Sequence, residues 1–191
     1  MNLLEKSFKA IWQLGLPKIW FFTLYQVGLQ TGHYRRVTPS LPDNYQGKPA
    51  LAPFSHFPTL TQEQLDQTLE LADEIRSGRF RPFGGEPEAL DLQAGASDQH
   101  WSILERIPPE KDIKFIWEPG RFGWALTLAR AYAYSGDSAY TRDFWQKTTI
   151  FLDAHPPNLG RQWQSAQEVA VRLMVLVFCD RVFASDLTPS Q

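Results

Sequence analysis

The chain has little cysteine, little net charge and no long apolar run, and each of these absences excludes a class of protein. It has 191 residues, one cysteine, and 19 Lys and Arg against 21 Asp and Glu. A single cysteine excludes an internal disulfide, and Cys179 lies within an apolar run, so we interpret it as a small core residue instead of a nucleophile. The formal net charge of −2 provides no basic field that would attract nucleic acid.

The sequence also lacks the common catalytic and metal-binding motifs. His155 stands close to Asp153, but no second histidine follows at the spacing of metal ligands. No glycine-rich phosphate loop and no nucleophile elbow occur. We therefore expect no metal ion and no cofactor, and neither phosphoryl transfer nor hydrolysis by a serine triad.

The N-terminal apolar segment is too short to cross a membrane and is a poor secretory signal. Residues 19–25 read IWFFTLY, whereas a spanning helix needs about 20 apolar residues. Pro17 and Lys18 precede the segment and no small-residue cleavage site follows it, which favours a cytoplasmic location. We predict an amphipathic helix whose apolar side chains dock on the protein body or lie on a membrane surface, and docking is the simpler interpretation.

Apolar residues recur at helical spacing in the rest of the chain. Thr61 and Gln64 have the form of a capping box, and Gly78 is suited to end the helix that they begin. The same reasoning predicts three further helices, at 121–136, 138–155 and 165–183, with Asp137 or Ser138 as the cap of the second. The predicted fold is all-α and consists of antiparallel helical hairpins with long loops at one end.

Prolines and loop residues divide the chain into two predicted parts. Residues 1–60 contain two short helices, near 3–14 and 17–29, and then a connector with five prolines. Residues 61–191 form the first part of a larger helical domain, and 79–116 is a long loop within it. The segment 129–137 resembles a tetratricopeptide turn, but the signal does not recur about every 34 residues, so a repeat scaffold is a minor alternative.

Two loops rich in Trp, Arg and Glu bracket the central helices. Residues 117–124 read WEPGRFGW and residues 162–172 read QWQSAQEVAVR. The positive charge of Arg121 stands at a helix start, where its interaction with the helix dipole is unfavourable. We therefore predict a negatively charged partner for Arg121, either Glu118 or an acidic ligand.

The second loop offers an amide and an indole beside a helix N-terminus. Gln162 and Trp163 there are suited to bind an anionic sugar. Glu168 has two ordinary interpretations besides a catalytic one: the reciprocal partner of Ser165 in a capping box, or an ion pair with Arg172 one turn further along the helix.

These residues carry a family resemblance. Residues 117–124, 129–132 and 158–163, with Glu168 and Arg172, resemble the N-terminal domain of heparinase II/III-like polysaccharide lyases, and 24–34 resembles the start of such proteins. The resemblance implies an incomplete (α/α) toroid, normally followed by a β-sandwich domain that this chain lacks. It also implies β-elimination on heparan sulfate-like, heparin-like or alginate-like polysaccharides, and allows a periplasmic location.

The resemblance also implies roles for individual residues. The C5 proton of a uronic acid is weakly acidic, so hydrogen-bond donors must neutralise its carboxylate before a base removes it. In this family the neutralising group is an Asn just before the motif tryptophan, and Gln162 stands there. The Tyr and His that supply acid and base have no match in this chain. The implied substrate-binding residues are Trp117, Glu118, Arg121, Trp163, Glu168 and Arg172.

The chain alone is expected to lack lyase activity, because six predicted helices do not complete a toroid. Two alternatives remain open. The first is a non-catalytic carbohydrate-binding or assembly domain, suggested by Gln162 in place of Asn. The second is a purely structural helical scaffold.

Overall fold

The computed structural model describes residues 15–40, 52, 54, 56–105 and 112–184. The chain divides into two compact units between Pro39 and Ser40. Aromatic residues of the proline-rich connector pack within the second unit. The ring centroids of Phe54 and Phe178 are 5.3 Å apart. The helix predicted at 3–14 lies outside the described residues.

The N-terminal unit contains helix α1 (Leu16–Gln30) and helix α2 (His33–Val37), and α1 confirms the helix predicted at 17–29. Pro17 lies in the first turn of α1, and Gly32 has a φ of 66° between the two helices. A Cβ at Gly28 would lie 2.7 Å from the ring of Tyr34, so this glycine allows α2 to fold back on α1. Within the described part of the chain, no helix is both long and apolar enough to cross a membrane.

The second unit is mostly helical, which confirms the all-α prediction. Its helices are α3 (Gln62–Arg76), α4 (Ile113–Trp117), α5 (Gly123–Ser135), α6 (Ala139–Ala154) and α7 (Ala166–Phe183). The predicted loop after α3 contains two short strands, β1 (Arg79–Phe80) and β2 (Glu88–Ala89), which pair antiparallel. Single 3₁₀ turns occur at Pro82–Gly84, Trp101–Ile103, Pro119–Arg121 and Arg161–Trp163.

Side-chain caps begin the helices where the sequence predicts them. The Thr61 hydroxyl accepts from the Gln64 N–H at 3.3 Å, and the Gln64 side chain accepts from the Thr61 N–H at 3.0 Å. Ser138 occupies the N-cap position of α6 and its hydroxyl caps no backbone N–H, whereas Oδ1 of the preceding Asp137 accepts from the Ala139 N–H at 2.8 Å. The short connection between α5 and α6 reverses the chain and makes these helices a hairpin.

Helix α5 lies at the centre of the unit and packs against α3, α6 and α7. Ala125 and Ala129 are fully buried, and their small side chains let the neighbouring helices approach closely. Cys179 on α7 is also fully buried, as predicted, and burial raises the pKa of its thiol to about 12. The largest fully buried aromatic side chains are Phe122, Phe144, Phe151 and Phe183.

Candidate functional site

Arg121 joins the two predicted loops through an ion-pair cluster. Its Nη1 donates to Glu118 at 2.7 Å, and its Nε and Nη2 donate to the two carboxylate oxygens of Glu168, the latter at 2.8 Å. These hydrogen bonds lower the pKa of Glu168 and raise that of Arg121. Glu118 is therefore a partner of Arg121, as predicted, and Glu168 is a second partner from 47 residues away in the chain.

The two ordinary interpretations of Glu168 need correction. The Ser165 hydroxyl accepts from the Glu168 N–H at 3.4 Å, which is the first half of a capping box. The Glu168 carboxylate, however, faces Arg121 instead of returning to the helix start. The predicted ion pair with Arg172 is also replaced, because the Arg172 guanidinium donates to backbone carbonyl groups.

Arg172 is buried and points into the protein. Its Nε donates to the Gly120 carbonyl at 2.6 Å, and its Nη2 donates to the Gln162 carbonyl at 3.0 Å. The guanidinium carbon lies 4.7 Å from the ring centre of Phe151 and 5.5 Å from that of Trp163. Burial lowers the pKa of Arg172 to about 10. This arginine ties both loops to α7.

Gln162 is also buried, and backbone groups surround its amide. Its Nε2 donates to the carbonyl groups of Ile116 at 2.7 Å and Ala94 at 3.1 Å, while its Oε1 accepts from Arg172 at 3.3 Å. A Cβ at Gly120 would overlap Oε1, so the amide fits only because that residue is glycine. Both amide hydrogens are engaged, and a substrate carboxylate would have to displace one of these carbonyl groups.

The indole groups of the two loops donate to backbone carbonyl groups, Trp117 across to the other loop and Trp163 to the end of α6. Trp117 donates from Nε1 to the Arg161 carbonyl at 2.9 Å, and Trp163 donates to the His155 carbonyl at 3.3 Å. Both side chains are half-buried, so part of each indole surface remains accessible. An aromatic face with its polar edge already satisfied is suited to stacking on a sugar ring.

Two exposed aromatic residues beside this cluster were not predicted as site residues. Phe83 and Phe115 are 52% and 53% exposed, and their rings meet edge to face at 5.3 Å. The Arg121 guanidinium carbon lies 5.7 Å from the Phe83 ring centre. Phe83 has a φ of 54°, a left-handed conformation uncommon outside glycine, and its N–H donates to Glu118 at 3.4 Å. The turn signal of Pro82 and Gly84 marks the segment, but the sequence does not show which residue it exposes.

A cavity of about 290 Å³ lies next to Glu118, at the lower end of the size of ligand pockets. Glu74 and Arg81, an ion pair with a 2.6 Å separation, form part of its wall. Its other lining residues come from α3, β1, the Pro82–Gly84 turn and the start of α5. Glu118 thus borders both the cavity and the Arg121 cluster.

His155 is buried among these elements, as a structural residue. Its Nε2 lies 3.0 Å from the Leu92 carbonyl, while its Nδ1 lacks a hydrogen-bond partner in the described structure. Burial lowers the pKa of this histidine, so it is neutral at physiological pH. Across the described residues, no group of His, Cys, Asp and Glu side chains is arranged to hold a metal ion.

Comparison with known proteins gives no relative: no family model, no curated protein and no solved structure matches the chain.

Proposed function

We propose that the chain is the N-terminal helical portion of a polysaccharide lyase that cleaves uronic-acid polysaccharides, heparan sulfate-like or alginate-like, by β-elimination. The observation that carries the proposal is that the segments bearing the resemblance, 117–124 and 158–172, form one bonded cluster. Arg121 and Arg172 each link the first segment to the second. The mostly helical fold with a central hairpin supports an incomplete (α/α) toroid.

In this proposal the cluster forms one wall of a substrate cleft. Three N–H donors of Arg121 bind Glu118 and Glu168, and a guanidinium has five, so it retains donors for a uronate carboxylate. The half-exposed rings of Trp117 and Trp163 supply stacking surfaces. Gln162 is the candidate neutralising group, and it acts only if its amide turns from the Ala94 or Ile116 carbonyl toward the substrate. The acid, the base and the opposite wall come from a downstream β-sandwich domain.

A second candidate function is a carbohydrate-binding or scaffold domain without catalysis. The buried, fully engaged amide of Gln162 favours it. A side chain that binds the backbone of two other segments and the Arg172 guanidinium has a structural role that needs no substrate.

The first experiment measures saccharide binding by the purified chain. Calorimetric titration with heparan sulfate and alginate oligosaccharides, and with dextran as the neutral polymer, should show binding of an acidic polymer only. Phe115→Ala, beside the cluster, should weaken binding without changing the thermal midpoint. Trp145→Ala is the control, because Trp145 is an exposed aromatic residue on α6, outside the cluster. Absence of binding to every polymer would favour the scaffold.

The second experiment separates catalysis from binding. The purified chain should give no unsaturated uronate product, which absorbs in the ultraviolet, and detection of that product would contradict the need for a second domain. In a longer protein that contains this chain, Gln162→Asn should raise lyase activity. Unchanged activity with retained saccharide affinity would favour the binding domain.

A further inference from the structure

Helix α1 exposes a continuous apolar surface. Leu16, Trp20, Leu24 and Val27 recur at helical spacing on one side of the helix, and all four are exposed. The adjoining Phe21 is 69% exposed, more than any of these except Leu16. Single exposed apolar residues are ordinary, but a contiguous patch of them marks an interaction surface.

The unit that carries this patch has charge of one sign only in its described part. Residues 15–39 contain Lys18, Arg35 and Arg36 and no Asp or Glu, although the chain as a whole is acidic. The patch therefore combines exposed aromatic rings with a local positive charge. The surface of an anionic lipid bilayer complements this combination. Its negatively charged headgroups attract cations, and aromatic side chains are buried favourably at the boundary between headgroups and acyl chains.

The bend between α1 and α2 holds Arg36 beside apolar side chains of α1. A cleft of about 640 Å³ lies at the bend and is lined by Phe21, Leu24 and Tyr25 on α1 and by Arg36 on α2. The Arg36 guanidinium donates to the Thr31 carbonyl at 3.1 Å, at the end of α1. The Arg36 guanidinium and the aromatic rings of α1 therefore line the same concave surface.

We propose that α1 and α2 bind the surface of an anionic lipid bilayer. Helix α1 lies in the plane of the interface with Trp20 and Phe21 in the headgroup–acyl boundary, and Arg35 and Arg36 contact lipid phosphates. The 15 residues of α1 extend about 22 Å at 1.5 Å per residue, short of the roughly 30 Å hydrocarbon core, so the helix lies on the bilayer and does not cross it. Trp and Tyr are enriched at this depth of membranes. The inference stands independently of the proposed lyase function.

The test is cosedimentation of the 191-residue chain with vesicles. Vesicles of phosphatidylcholine mixed with phosphatidylglycerol should bind the chain, and vesicles of phosphatidylcholine alone should bind it more weakly. Added salt should weaken binding because it screens the cations. The double variant Arg35→Gln/Arg36→Gln should lower affinity for the anionic vesicles by more than about tenfold and leave affinity for the neutral ones unchanged.

A matched pair of apolar variants tests the insertion. Trp20→Ser/Phe21→Ser should abolish binding to both kinds of vesicle. Leu173→Ser/Met174→Ser is the control on α7, because these side chains are 60% and 64% exposed. Circular dichroism verifies that each variant keeps its helix content.

Three results would overturn the proposal. The first is no cosedimentation with the anionic vesicles, and the second is equal loss of binding in the α7 control. The third is a dimer on size-exclusion chromatography that Trp20→Ser/Phe21→Ser dissociates, without vesicle binding, which would make the patch an interface between two copies of the chain.

Discussion

At the scale of single residues, the polar side chains of the two loops serve mainly to hold those loops together. Arg172 and Gln162 point inward and bind backbone carbonyl groups of the segments before α5. The sequence identified these residue types as a cluster because they stand at loop ends next to helix starts. It did not show their direction, which depends on contacts with residues far away in the chain.

Removing the Glu168 carboxylate should destabilise the chain in a pH-dependent way. Glu168→Gln loses the charged hydrogen bonds with Arg121, at a cost of about 2 kcal/mol in the free energy of unfolding at pH 7. The folded-state pKa of Glu168 is lowered, so its contribution is complete above the unfolded pKa of about 4.3 and is lost as the pH falls through the folded pKa. Urea titrations from pH 7 down to acid pH should therefore show that the free energies of unfolding of the native protein and of Glu168→Gln converge.

Glu74→Gln is the matched control, since Glu74 also pairs with an arginine, Arg81, but in a more exposed position than Glu168. Solvent screens an exposed pair, so this variant should lose less stability. An equal loss in the two variants would show that burial of Glu168 contributes nothing.

Gly120→Ala should be strongly destabilising, because the added Cβ overlaps Oε1 of Gln162. Overpacking of this kind costs about 1–3 kcal/mol. Gly123→Ala is the control: a Cβ there meets no atom within 4 Å, and alanine favours a helix. Chemical denaturation should give Gly120→Ala a clearly lower free energy of unfolding than the native protein. The free energy of unfolding of Gly123→Ala should equal or exceed that of the native protein. Equal stability of the two variants would contradict the packing of Gln162 against Gly120.

At the scale of elements, the helices were largely predictable and the short strands were not. Hydrophobic periodicity and capping residues define α3, α5, α6 and α7 because each signal lies within a few neighbouring residues. The strands β1 and β2 have two residues each, which is too short for an alternating pattern to be visible. The Phe54 packing was also missed, because a proline-rich connector has no periodicity to show which residues turn inward.

Capping of α6 gives a prediction at this scale. Asp137→Ala should lower the free energy of unfolding by about 1 kcal/mol, because the Ala139 N–H then loses its side-chain acceptor. Ser138→Ala is the control, since the Ser138 hydroxyl binds the exposed Arg142 guanidinium and caps no backbone N–H of α6. Thermal unfolding monitored by circular dichroism should give Ser138→Ala a higher unfolding midpoint than Asp137→Ala. The reverse order would assign the cap to Ser138.

At the scale of the whole molecule, the single cysteine reports on unfolding of the second unit. Cys179 is fully buried and the pKa of its thiol is about 12, so the native protein contains almost no reactive thiolate. A thiol reagent should label the native protein slowly and label the unfolded chain fast. Labelling against urea concentration should follow the loss of helical circular dichroism. Fast labelling without urea would show that α7 opens separately from the rest of the unit.

The bond between Arg172 and Gly120 has a consequence for how the chain is made. The two residues are 52 positions apart, and the arginine is the later one to be synthesised. Helices α5 and α6 therefore leave the ribosome before the residue that fixes the loop ahead of them. Because domains fold as units during synthesis, the α5–α6 hairpin stays exposed to chaperones and proteases until α7 emerges.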